Sequence, residues 1–87
     1  MQSIGIVIPA YNEKDNILKL IKGIRKKLNC IIVIVDDSSN LDTQKIVIKS
    51  KLKNIKYFNR RKKAGRGSAV LFGLKNYSVQ KKILIVL

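Results

Sequence analysis

The sequence predicts an α/β fold, an open parallel sheet of order βαβαβαβ, over 87 residues. Short β-branched apolar runs recur along the chain and read as strands buried on both faces, as strands of parallel sheets are. Segments of helical spacing separate them, so each pair of strands is joined by a crossover, which is right-handed in such units. Polar clusters follow the strands at their carboxyl ends, where an open parallel sheet receives its ligands.

The first run, Ser3 to Pro9 (SIGIVIP), ends at a proline and predicts a strand. A helix is expected over Asn12 to Leu28. Asn12 would cap it, Glu13 and Asp15 would sit in a first turn that favours acids, and Ile17, Leu18, Leu20, Ile21, Ile24 and Leu28 would form one apolar stripe. Cys30 to Val35 (CIIVIV) is a second buried strand, and it runs into Asp36-Asp37. After the turn Ser38 to Asp42, a helix over about Asp42 to Lys51 points Ile46 and Val47 inward. Ile55 to Phe58 is a third strand, and a basic loop with glycines, Asn59 to Gly67, follows it. A third helix over about Ser68 to Tyr77 carries Ala69, Val70, Phe72, Leu74 and Tyr77 as its apolar positions, and Ile83 to Leu87 is the fourth strand.

A chain of this length holds one small domain and buries only ~60% of its unfolded surface. The single cysteine, Cys30, cannot form an internal disulfide and reads as a small core residue. Histidine is absent, so there is no Cys/His cluster for a structural metal. No charged segment leading into an apolar core marks a signal peptide. The longest apolar runs, Cys30 to Val35 and Ile83 to Leu87, fall far short of the ~20 residues of a membrane helix. A reduced, cytoplasmic setting is the expectation. Nineteen Lys and Arg against five Asp and Glu leave a net charge of +14. That excess admits an anionic partner, and it also fits an AT-rich coding bias that spreads lysine over solvated helix faces.

The clusters at the strand ends carry the functional signal. Glu13 is either an acid paired with a helix dipole or an acceptor for a ribose hydroxyl or a base edge. Of the adjacent carboxylates, Asp36 suits hydrogen bonds from the turn that follows, and Asp37 suits the crevice, where it accepts from a nucleobase N–H. In the loop RRKKAGRG, Gly65 and Gly67 permit close backbone approach, and Arg60, Arg66 and a helix N-terminus suit a diphosphate. The loop matches neither the Walker pattern nor the G-x-G-x-x-G fingerprint, and a solvated basic turn is its competing explanation. Tyr11 either stacks on a base or packs over the sheet edge. A phosphoreceiver domain would need an aspartate at the end of its third strand, where this chain has Asn59.

Three blocks of sequence carry a family resemblance over essentially the whole chain: Ile6-Val7-Ile8-Pro9-Ala10-Tyr11-Asn12-Glu13, Val33-Ile34-Val35-Asp36-Asp37-Ser38-Ser39, and Gly65 to Lys75 (GRGSAVLFGLK). In this order and spacing they resemble the family 2 glycosyltransferases, and most of all the polyprenyl- and dolichyl-phosphate mannosyltransferases. The resemblance implies the N-terminal half of a Rossmann-like GT-A fold and a donor that is a GDP- or UDP-sugar. Pro9, Tyr11, Glu13, Val35 and Asp37 would line the nucleotide pocket, and Arg60, Gly65 and Arg66 would lie on the diphosphate side. It also implies Mg2+ or Mn2+ held by an Asp-x-Asp motif that follows the fourth strand, a polyprenyl phosphate acceptor, and membrane association of a longer parent. The sequence lacks that motif, so residues 1–87 are expected to be the nucleotide-sugar-binding part, truncated before Asp-x-Asp and inactive alone. Where many members carry an Asp in the turn after the paired acids, this chain has Leu41, with Asp42 one place later. Two other readings are a non-catalytic nucleotide-binding remnant and a basic nucleic-acid-binding module. The second lacks aromatic side chains interleaved with its basic run, so no nucleic acid is expected as partner.

Overall fold

The computed structural model describes residues 4–61, 65–76 and 81–84. Its elements are β1 (Ile4–Ala10), α1 (Ile17–Arg25), β2 (Ile31–Asp36), α2 (Asp42–Ser50), β3 (Ile55–Asn59), α3 (Arg66–Asn76) and β4 (Lys81–Leu84). The strands form one parallel sheet in the order β3-β2-β1-β4, in agreement with the predicted alternation. The register aligns the carboxyl ends of three strands: Ala10 pairs with Asp36, and Asp36 with Asn59.

Both faces of the sheet are covered, which is why its strands read as continuous apolar runs. On one face Ile6, Ile8, Ala10, Ile32 and Ile34 pack with Ile17 and Ile21 of α1 and Val47 of α2. On the other, Val7, Val33 and Val35 meet Ala69 of α3, with Phe58 and Phe72 at the margin. Cys30 is fully buried in the first layer. Gly73 fixes how closely α3 approaches: a Cβ there would stand 2.6 Å from Cγ1 of Val7.

The first helix differs from expectation. It starts at Ile17, not Asn12, because Asn12 has a left-handed backbone with φ 52° that no helix can continue. The Asn12 N–H donates to Ser38 Oγ at 2.7 Å, so the residue joins the strand-end turn and caps nothing. Glu13 and Asp15 therefore lie outside the first turn of α1; the Glu13 carbonyl closes a turn by accepting from the N–H groups of Asn16 and Ile17. Leu28 lies past the helix end and is 36% exposed rather than part of the stripe. At the third helix, α3 begins at Arg66, two residues before the predicted start, while Tyr77 and Ile85 to Leu87 lie outside the described residues.

Two of the helical glycines, Gly23 and Gly73, give opposite expectations. Gly73→Ala drives a methyl into Val7 and should destabilise the domain by about 1–3 kcal/mol. Gly23→Ala, exposed in α1 with open space around the added Cβ, should stabilise by about 0.4–1 kcal/mol. In a domain of this size each kcal/mol moves Tm by about 4–8 °C. Thermal unfolding of the two variants should bracket the parent, and equal Tm values would refute the packing assignment.

Candidate functional site at the carboxyl edge of the sheet

The alternation of β2 sends its terminal acids to different surroundings. Asp36 falls on the face of Ile32 and Ile34 and is fully buried. Its Oδ1 accepts from the Ser38 N–H at 2.9 Å and from the Ser38 hydroxyl at 2.6 Å. Its Oδ2 accepts from the Tyr57 hydroxyl of β3 at 2.6 Å. Asp36 thus serves the following turn, as the sequence predicts, and also ties β2 to β3. Burial, then the hydrogen bond to Asp36, then the negative charge of that carboxylate raise the Tyr57 phenol well above its ordinary pKa.

Asp37 takes up a different partner. Arg60, just past β3, grips it with a two-pronged pair: Nε donates to Oδ1 at 2.6 Å and Nη2 to Oδ2 at 2.8 Å. Both side chains are nearly buried, at 10% and 6% exposure. The main chain holds the same geometry, since the Arg60 N–H donates to the Asp36 carbonyl and the Asp37 N–H to the Ala10 carbonyl. Arg60 also reaches α3: Nη1 donates to Ser68 Oγ at 3.0 Å, and the guanidinium carbon stands 5.4 Å from the centre of the Phe72 ring. Phe72 in turn packs edge-on against Phe58. The hydrogen bond to Asp37 and the charge of that carboxylate raise the Arg60 pKa, against an opposing effect of burial. Arg60 is a fixed cation that joins β2, β3 and the first turn of α3.

The structure brings some predicted site residues together and leaves others apart. Pro9 and Val35 are buried register partners beside Asp37. Tyr11 is 45% exposed at the end of β1. Glu13 is half-buried and lines a groove along α1 with Asn16, Leu20 and Gly23. Gly65 has φ 90°, a conformation that suits glycine, and its carbonyl accepts from the Ala69 N–H as α3 begins. Arg66 opens α3. Lys62 and Lys63 of the basic run lie outside the described residues. A shallow cleft of about 460 Å³ runs from Arg60 past Ser68 and Phe72 to Leu71 and Lys75.

Four site residues escape the sequence reading: Ser38, Tyr57, Ser68 and Phe72. The Asp-x-Ser spacing of residues 36 and 38 is a local signal for the first, because that spacing favours a side-chain turn. Among the described residues no group of three or more acid, thiol or imidazole side chains gathers to hold a metal. The paired acids are engaged by protein partners, Asp36 by Ser38 and Tyr57 and Asp37 by Arg60. Among the same residues no helix is long and apolar enough to cross a membrane.

Tyr57→Phe should destabilise the fold by about 1–3 kcal/mol, because it strips a buried carboxylate oxygen of its donor. The raised phenol pKa also sets a pH dependence. The unfolded tyrosine ionises near ~10, so the contribution of Tyr57 is full below that pH and is lost as pH rises above it. Urea denaturation between pH 8 and 11 should show the loss in the parent and a shallower one in the variant; identical profiles would contradict the bond. An uncharacterized protein of Methanocaldococcus jannaschii, MJ0544, is 40% identical over 73 residues, a stretch that covers 79% of this chain and 31% of that protein. The chain thus spans less than a third of that relative's length. The family described as Glycosyl transferase family 2 matches residues 5–87, from β1 through every motif named above, and the chain belongs to that family.

Proposed function

We propose that this chain forms the donor-binding half of its glycosyltransferase and seats a GDP- or UDP-sugar at the carboxyl edge of the sheet. The observation that carries the reading is the Asp37 carboxylate, fixed at the end of β2 by the fork of Arg60, which also donates to Ser68 in the first turn of α3. A carboxylate has about four acceptor positions, so Asp37 can receive a nucleobase N–H while it keeps Arg60. Pro9 and Val35 supply the apolar wall, the exposed ring of Tyr11 a stacking face, and Glu13 an acceptor for the ribose. Arg60, Gly65 and Arg66 form the diphosphate side, where a guanidinium and the N-terminus of an 11-residue helix both favour anions. A polyprenyl phosphate acceptor, and work at a cytoplasmic membrane face, rest on the likeness of the three motifs to polyprenyl-phosphate sugar transferases. Mg2+ or Mn2+ belongs to the same reading, with ligands other than the engaged acids of β2. The 87-residue chain by itself is expected to bind donor without transferring sugar.

Calorimetric titration with UDP and GDP, each with and without Mg2+, should show binding of one of them. Asp37→Asn should weaken that binding by roughly 10- to 100-fold, as expected for the loss of a hydrogen bond to a charged acceptor. A variant that binds as the parent does, or a parent that binds neither nucleotide, would sink the reading.

A further inference from the structure

Ser38 sits at the crossing point of the strand ends, and its chemistry is unusual for a turn residue. It is fully buried although it lies beyond the end of β2. Its hydroxyl donates to Asp36 Oδ1 at 2.6 Å, which leaves the lone pairs of Oγ to accept the Asn12 N–H at 2.7 Å. The bond to Asn12 spans 26 residues of sequence and pins a backbone at φ 52°, a conformation uncommon outside glycine. Asn12 lies between Tyr11 and Glu13, so whatever holds Asn12 sets the direction in which both neighbours leave the end of β1. Asp36 cannot swing away, because its second oxygen is held by Tyr57. Tyr57, Asp36, Ser38 and Asn12 thus form one hydrogen-bonded line from β3 across β2 to the loop after β1.

We propose that Ser38 is a positioning residue for donor binding: its buried hydroxyl, oriented by Asp36, locks the Asn12 turn and so presents Tyr11 and Glu13 to the ligand held at Asp37. The inference rests on the donor-binding reading above and adds a residue that never touches the ligand. A hydroxyl is required because the position must donate and accept at once. Alanine does neither, cysteine does both weakly, and threonine keeps both.

Titration of the same chain with UDP and GDP, combined with amide hydrogen exchange at Asn12, tests it. Ser38→Ala should weaken nucleotide binding about tenfold at a temperature well below its Tm, and Ser38→Thr should recover most of the loss. The Asn12 amide should lose its protection in the alanine variant while amides of the central strands β1 and β2 keep theirs. If the alanine variant does not fold, Ser38→Cys carries the same expectation in weaker form. A lower Tm with unchanged affinity and unchanged Asn12 protection would overturn the proposal and leave Ser38 a stabilising residue only. A parent chain that binds neither nucleotide would overturn the donor reading and the positioning role together. Donor binding lost in Asp37→Asn but intact in Ser38→Ala would overturn the positioning role alone.

Discussion

Two adjacent carboxylates at the end of an apolar strand repel each other, and burying both costs several kcal/mol per charge unless each finds partners. The site depends on how this chain meets that constraint. Strand alternation turns Asp36 into the α1 and α2 layer, where three neutral donors surround it. Asp37, one residue on, finds a cation in Arg60. One acid is satisfied by dipoles and the other by a full charge, so only the second pair carries a geometry matched to planar ligands. The division of labour starts from the period of two along the strand, and the turn after it supplies two of the three donors to Asp36.

The same constraint decides what the sequence reveals. The alternation βαβαβαβ was legible because the central strands β1 and β2 are buried on both faces and apolar residues recur at helical spacing between the strands; these are local patterns. Asp36 as a turn acceptor was legible for the same reason, since its partner stands two residues away. The start of α1 was not. Asn12 followed by acids has the composition of a capped helix start, and what overrides it is a hydroxyl 26 residues further along the chain. Arg60 was legible as a basic residue near the site, but its engagement with Asp37 was not. The bond joins the ends of β2 and β3, and nothing within either segment encodes it. Tyr57 falls inside the predicted third strand with no local mark of a role; only the register that sets it beside Ile34 brings its hydroxyl within reach of Asp36.

Net charge offered little guidance. A chain at +14 invites a search for an anionic partner over its whole surface, yet the side chain of the cation that organises the site is only 10% exposed. Exposed pairs such as Lys14 with Asp42, 3.8 Å apart and half in solvent, contribute little to stability. Arg60 differs because its guanidinium is held on several sides at once, by Asp37, by Ser68 and by the face of Phe72.

That arrangement couples the site to the core through α3. The helix meets the sheet at Gly73, where there is no room for a methyl group, and Phe72 beside it packs on Phe58 and under Arg60. Ser68, one turn earlier, donates no structure to the core and instead accepts from Arg60. A helix seated this tightly cannot slide along the sheet without moving Ser68 relative to the guanidinium, because close-packed interiors transmit small shifts instead of absorbing them. The placement of the cation beside Asp37 is therefore tied to the packing of α3 on the sheet: the contact at Gly73 seats the helix, and the helix carries Ser68 and Phe72 to the guanidinium.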